Sequence, residues 1–267
     1  MQGLAMVRSG LPLKDRLLAL ACASHSGEQI HIDAVHDILN AANLDVDSLQ
    51  CPPDFPLDDV EKDSLLAAGL EKSRIHMNCS GKHAAMLFTC VLNGWDTATY
   101  LELDHPLQQA CRIALEECTG EAVQHIGIDG CGAPLMSTSL LGLARSFSQF
   151  AGPQASSEQR KIADAIRQFP EYESGTRRDD CLLMKGVPGL LAKIGAEAVY
   201  GIGLADGRAL ALKIDDGADR ARIVAGATIL RDVMGLTADV IEKQTSIEVL
   251  GGGKPVGSIT ATLSGVR

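Results

Sequence analysis

Strand signals in this 267-residue chain gather in its last third, and that placement limits the fold more than any other feature. AEAVYGIGL (196–204) and RALALKI (208–214) flank Asp206-Gly207, a pair that favours a tight hairpin turn. KPVGSITATL (254–263) reads as a last strand. Helical patterns come before and between them. KDRLLALACA (14–23) is a helix ending at the loop SHSGE, and Asp33 can cap a second helix carrying Val35, Ile38, Leu39 and Ala42 at helical spacing. LDDVEKDSLLAAGL (57–70) begins acidic, as a helix N-terminus prefers. KHAAMLFTCVLNG (82–94) reads as a buried helix closed by Gly94, and HPLQQACRIALEECTG (105–120) places Pro106 in the first turn and Gly120 past the end. Further helices fit 135–150, 157–168, 180–193 and 218–234. Helices first and strands late predict an α+β chain rather than a doubly wound sheet. The expected organisation is one domain over 1–267, helical to about 195, with the later strands and helix completing an antiparallel sheet.

Charge and composition narrow the function classes. A net charge of −10 and a pI near 5.1 argue against nucleic acid, and no block of like charge forms a binding tail. No apolar run reaches the roughly 18 residues of a membrane span, and MQGLAMVRSG lacks the pattern of a signal peptide. Eight cysteines in so long a chain without an export signal are expected to be reduced, mostly buried thiols, which points to the cytoplasm.

The stretch HMNCSGKHAAM (76–86) sets a cysteine, a serine, a lysine and a histidine within five positions. With a helix starting near Gly81, Cys79 lies where the helix field favours a thiolate, and Lys82 three residues on can face the same region and lower the thiol's pKa further. Equally, Cys79 can be a small buried residue, Lys82 a solvated first-turn lysine and His83 a packing residue. IGIDGCGAP (126–134) puts Asp129 and Cys131 in a glycine-rich turn that admits a ligand close to the backbone, or serves as a tight structural turn. CASHSGE (22–28) ends a helix with Ser24, His25, Ser26 and Glu28, which a capping role would also explain. Lys213 interrupts an apolar strand, where an unpaired buried charge is costly; on an edge strand it would face water.

Taken in order, CASHSGE, NCSGKHA, DGCGAP, GAEAVYGIGL and ALKIDDG resemble the asparaginase II family, the Rhizobium etli type of L-asparaginase, over essentially the whole chain. The resemblance implies a serine β-lactamase and glutaminase-like fold and hydrolysis of L-asparagine to aspartate and ammonia. It also implies a zinc site on Cys79, Lys82 and Cys131, in which two thiolates and a deprotonated amine suit the metal. Asp129 follows as an orienting group for ligands or for the substrate ammonium, with His25 and Glu28 also binding substrate. A serine of the SHSGE loop and a lysine of the late strand map to Ser24 and Lys213 as the catalytic pair, expected within hydrogen-bond reach.

The family pattern also carries a Ser-x-x-Lys pair, with serine as nucleophile, just before sequence like QGLAMVRSG, which here is residues 2–10. No serine in this chain is followed by a lysine three residues on. The N-terminus is therefore expected to be truncated relative to the family, without the early strands, and activity to be weak or nil. Three readings stand: an L-asparaginase acting through an acyl-enzyme, a serine-dependent glutaminase-like relative, and a non-catalytic zinc- or amino-acid-binding remnant. Asparagine is the expected partner, with no nucleic acid or membrane, and association into a homodimer is allowed for.

Overall fold

A computed structural model describes residues 1–265. The helical body is built from α1 (Gln2–Arg8), α2 (Asp15–Ala21), α3 (Gln29–Ala41), α4 (Asp59–Ala67), α5 (Ser80–Asn93) and α6 (Pro106–Thr119). After the short hairpin β1 (Ile126–Ile128) and β2 (Pro134–Met136) come α7 (Leu140–Ala151), α8 (Ser157–Gln168), the single turn α9 (Pro170–Glu173) and α10 (Asp179–Gly186). The C-terminal part holds β3 (Leu191–Gly195), β4 (Val199–Gly203), β5 (Ala209–Lys213), α11 (Asp219–Asp232), α12 (Asp239–Gln244), β6 (Ser246–Gly251) and β7 (Lys254–Thr260).

Apolar stripes on α1, α2, α3 and α5 meet in one core, where Leu4, Met6, Leu18, Leu20, Ile38 and Met86 are fully buried. Gly94 and Gly120 end α5 and α6 in the left-handed conformation, and Pro106 opens α6, all as their sequence signals require. Asp33 does not cap α3. The helix starts four residues earlier at Gln29, whose side chain donates to Asp33 at 2.8 Å one turn along.

The main sheet is antiparallel in the order β3-β4-β5. Strand alternation gives it two faces. Tyr200 and Leu212 face α11, where Gly226 admits the Tyr200 ring. Lys193, Gly201 and Ala211, level with one another across the strands, face α7. A Cβ at Gly201 would lie 2.2 Å from the Phe147 ring, so the glycine lets α7 lie close against the sheet.

Helix and strand thus segregate along the chain as α+β, with three local differences. Residues 180–193 do not form one helix: α10 stops at Gly186, Gly189 turns the chain at φ +80°, and Lys193 stands in β3. The helix expected from 135 begins at Leu140, because Pro134–Met136 pairs with β1. β7 pairs with β6 rather than completing the main sheet. Among the described residues no helix is long and apolar enough to cross a membrane, and all eight cysteines are free.

Candidate functional site

Two chain turns create the central cluster. Cys79 occupies the N-cap of α5, its backbone N–H donating to Met77 Sδ at 3.1 Å, so its thiol sits at the positive end of a fourteen-residue helix. The turn between β1 and β2 carries Cys131. Asp129 N–H donates to the Ala133 carbonyl at 2.9 Å, and Gly132, at φ +89°, donates to the Asp129 carbonyl at 2.8 Å. That left-handed position is what glycine permits.

Between these turns Lys82 reaches across, its Nζ donating to Cys131 Sγ at 3.3 Å, and Cys131 Sγ lies 3.6 Å from Asp129 Oδ2. All three of Cys79, Lys82 and Cys131 are buried. The two thiols share a hydrogen bond, and that contact is the largest influence on both. It lowers Cys79 to about 6, against the effect of burial and with help from the Lys82 cation, and raises Cys131 to about 12. The cluster therefore rests as a Cys79 thiolate beside a Cys131 thiol. Burial opposes the charge on Lys82, but Cys79, Cys131 and Asp129 outweigh it and hold the ammonium.

His83 lies one residue on. Tyr100 Oη donates to its Nδ1 at 2.6 Å, and its Nε2 is buried without a hydrogen-bond partner, beside Cys131. Among the described residues no three His, Cys, Asp or Glu side chains converge as a metal site. A metal here must take Lys82 as its third ligand. The donor chemistry suits that: two sulfurs, one already a thiolate, and an amine in contact with one of them.

Lys82 and Asp129 also line a cavity of about 330 Å³ lying against β3. Its walls are mainly apolar, with Leu115, Phe147, Phe150 and Ile162 among them. Three polar residues on or behind its wall were not singled out from the sequence. Lys193 projects from β3 into it, its Nζ donating to the buried Glu173 at 2.7 Å. Gln108 presents an unpartnered, buried Oε1 while its amide donates to the Tyr100 carbonyl. The signal that could have found Lys193 is Pro188-Gly189, a turn dipeptide ahead of LLAKIG.

The remaining expected residues lie elsewhere. His25 is fully buried in the core, stacked on His31 with ring centroids 5.0 Å apart and donating to Ser80 Oγ at 2.9 Å. Glu28 binds its own loop, accepting from Ser26 Oγ at 2.6 Å and from Thr176 Oγ1 at 2.6 Å. Neither lines the cavity. Ser24 is half-buried, its carbonyl accepting from Arg178 and its hydroxyl without a hydrogen bond among the described residues. The expected contact between Ser24 and Lys213 is not formed. Lys213 ends the edge strand β5, is exposed, and donates to the neighbouring Ile214 carbonyl. It shares a sheet face with Lys193 but stands two strands away, roughly 10 Å at the usual strand spacing.

An α+β chain that brings two amines and a carboxylate to one concave, largely apolar space, with a pair of buried thiols beside one of the amines, has the form of a small-molecule site. The chain belongs to the L-asparaginase II family, whose sequence model matches residues 1–261. No curated protein matches it. Membership supports an amidohydrolase of L-asparaginase type and a small-molecule substrate in general terms.

Proposed function

We propose that this chain is built to hydrolyse L-asparagine to L-aspartate and ammonia through a serine acyl-enzyme, on a serine β-lactamase-like framework. The observation that carries this reading is the meeting of Lys193, Lys82 and Asp129 on one cavity beside the Cys79–Cys131 pair. A neutral lysine can take a proton from a serine, and Lys193 replaces Lys213 in that role because it alone of the two reaches the cavity. Ser24 stays the serine proposed to work with it, from a loop outside the cavity wall. Asp129, with a carboxylate on the cavity, receives the substrate ammonium, and the free Gln108 Oε1 can accept from the same group or from the amide.

Cys79, Lys82 and Cys131 would hold zinc, with the His83 Nε2 beside Cys131 supporting the sulfur. Bound there, the metal would supply a fixed positive charge and a Lewis acid at the cavity edge. Its entry requires Lys82 and Cys131 to give up their protons, so uptake is expected to release protons and to weaken as pH falls.

The sequence itself favours a second reading. No serine is followed by a lysine three residues on, so the acyl-enzyme nucleophile of the family pattern is not among these residues. A zinc- or amino-acid-binding protein without turnover is the alternative. Ammonia release from L-asparagine separates the two, measured on this chain and on a version extended with a Ser-x-x-Lys segment ahead of Met1. Activity in the extended protein that is lost in Lys193→Ala and kept in Lys213→Ala supports the hydrolase. Tight asparagine binding with no turnover in either version supports the alternative. L-glutamine belongs in the same assay, since one methylene shifts preference by only about 1–3 kcal/mol.

A further inference from the structure

The cavity changes character along its length. One end holds Lys82, Asp129 and Gln108, and the Gln108 amide is fixed by the Tyr100 carbonyl at 2.8 Å. From Gln108 the buried face of α6 runs on through Cys111 to Leu115, all three on the cavity wall. Leu115 lies two turns further, about 10 Å at the helical rise.

Two contacts place the rest of the wall at that second end. Ser139, the N-cap of α7, donates to Glu121 just past α6, so Leu143 one turn into α7 stands beside Leu115. Gln159 of α8 donates to Cys118 Sγ at 3.6 Å, which brings Ile162 of the next turn to the same place. Ser146, also on the wall, spends its proton on the Leu143 carbonyl at 2.7 Å. The second end is thus apolar on α6, α7 and α8 together. L-asparagine carries a single side-chain methylene to set against it, and a cavity of about 330 Å³ falls within the range that takes larger ligands.

We propose that the substrate class of this site is L-asparagine substituted on its side-chain amide nitrogen by an apolar tail, with the tail lying between Leu115, Leu143 and Ile162. The inference rests on the reading of the site as an asparagine amidohydrolase, in which Asp129 holds the substrate ammonium. With the ammonium engaged there, the α-nitrogen carries no tail, and the side-chain amide nitrogen is the position left to bear one. A tail of about six to eight carbons spans the distance to Leu115. Hydrolysis breaks the bond between the side-chain carbonyl carbon and nitrogen. Water's hydroxyl goes to the carbon and its proton to the nitrogen, giving L-aspartate and an alkylamine in place of ammonia.

The test reads binding and needs no turnover. Isothermal titration of the full chain compares L-asparagine with the β-ethyl, β-butyl and β-hexyl amides of L-aspartate, and with hexylamine as a tail without the amino-acid head. Binding is expected to tighten about fourfold for each added methylene, and hexylamine to bind far more weakly than the hexyl amide. Leu143→Gln, at a half-buried wall position, should flatten the series. Should that variant fail to fold, the wild-type series alone decides. Tails that leave L-asparagine binding unchanged or weaken it would overturn the proposal while the asparaginase reading stands. Absence of binding by every amino-acid compound would sink both. Hexylamine as tight as the hexyl amide, or an undiminished rise in folded Leu143→Gln, would also overturn the proposal.

Discussion

Replacing Cys131 by alanine tests the electrostatics of the thiol–amine cluster with one atom removed. In the metal-free protein Cys79 is lowered to about 6, and the hydrogen bond from the Cys131 thiol is the leading cause. At pH 7 a group titrating near 6 is about 90% ionised, since each unit is a factor of ten. Without the Cys131 thiol, burial becomes the largest remaining influence and outranks the Lys82 cation. Cys79 should then return to its ordinary 9.0 or above, leaving about 1% thiolate or less at pH 7. The measurement is near-ultraviolet thiolate absorbance in chelator-treated protein across the neutral range, taken as the difference from Cys79→Ser in each background. A wild-type Cys79 titrating near its ordinary value would refute the reasoning. Equally damaging would be a Cys79 that still titrates near 6 in Cys131→Ala, because the helix terminus and Lys82 would then be sufficient alone.

His25 and His31 are stacked and buried, each with an unpartnered Nδ1, and burial lowers both below the usual imidazole range. Their folded values lie under the unfolded value of about 6.5, so the unfolded chain takes up more protons and stability falls as pH drops below that point, by up to about 1.4 kcal/mol per pH unit for each histidine. Urea midpoints should fall steeply on acidification, and His31→Gln should make the dependence shallower; a flat midpoint down to about pH 5 would count against this. Gly203→Ala places its Cβ 2.4 Å from the Phe147 carbonyl oxygen and 2.7 Å from Ala151 Cβ. Such overpacking against backbone costs about 1–3 kcal/mol, visible as a lower Tm, whereas an unchanged Tm would mean that α7 does not lie on the sheet as described.

What the sequence makes legible here is local. Gly94, Gly120 and Pro106 mark helix ends because each acts through its own backbone, and Asp206-Gly207 sets the β4–β5 hairpin for the same reason. Cys79 at the start of α5 follows from the helix pattern that begins beside it. Residues whose role depends on distant partners were harder to place. Lys193 falls in an apolar run that suits a helix as well as a strand, and only Pro188-Gly189 marks the change. Lys213 reads either as a costly charge in an apolar strand or as an edge residue facing water, and the second holds, since β5 is an edge and Lys213 is its exposed last residue. His25 and Glu28 read equally as binding groups or as loop anchors. The second role holds them, through Ser80 for one and through Ser26 and Thr176 for the other.

The metal content of the purified chain tests the central claim most directly. Protein prepared without chelators should hold about one zinc per chain, as a site of two thiolates and an amine with an open fourth position would. Cys131→Ser and Lys82→Met should each lose most of it, while Lys213→Ala keeps it. Zinc-free wild-type protein that stays zinc-free after incubation with the metal, or full zinc retained by Cys131→Ser, would contradict a metal centre on Cys79, Lys82 and Cys131.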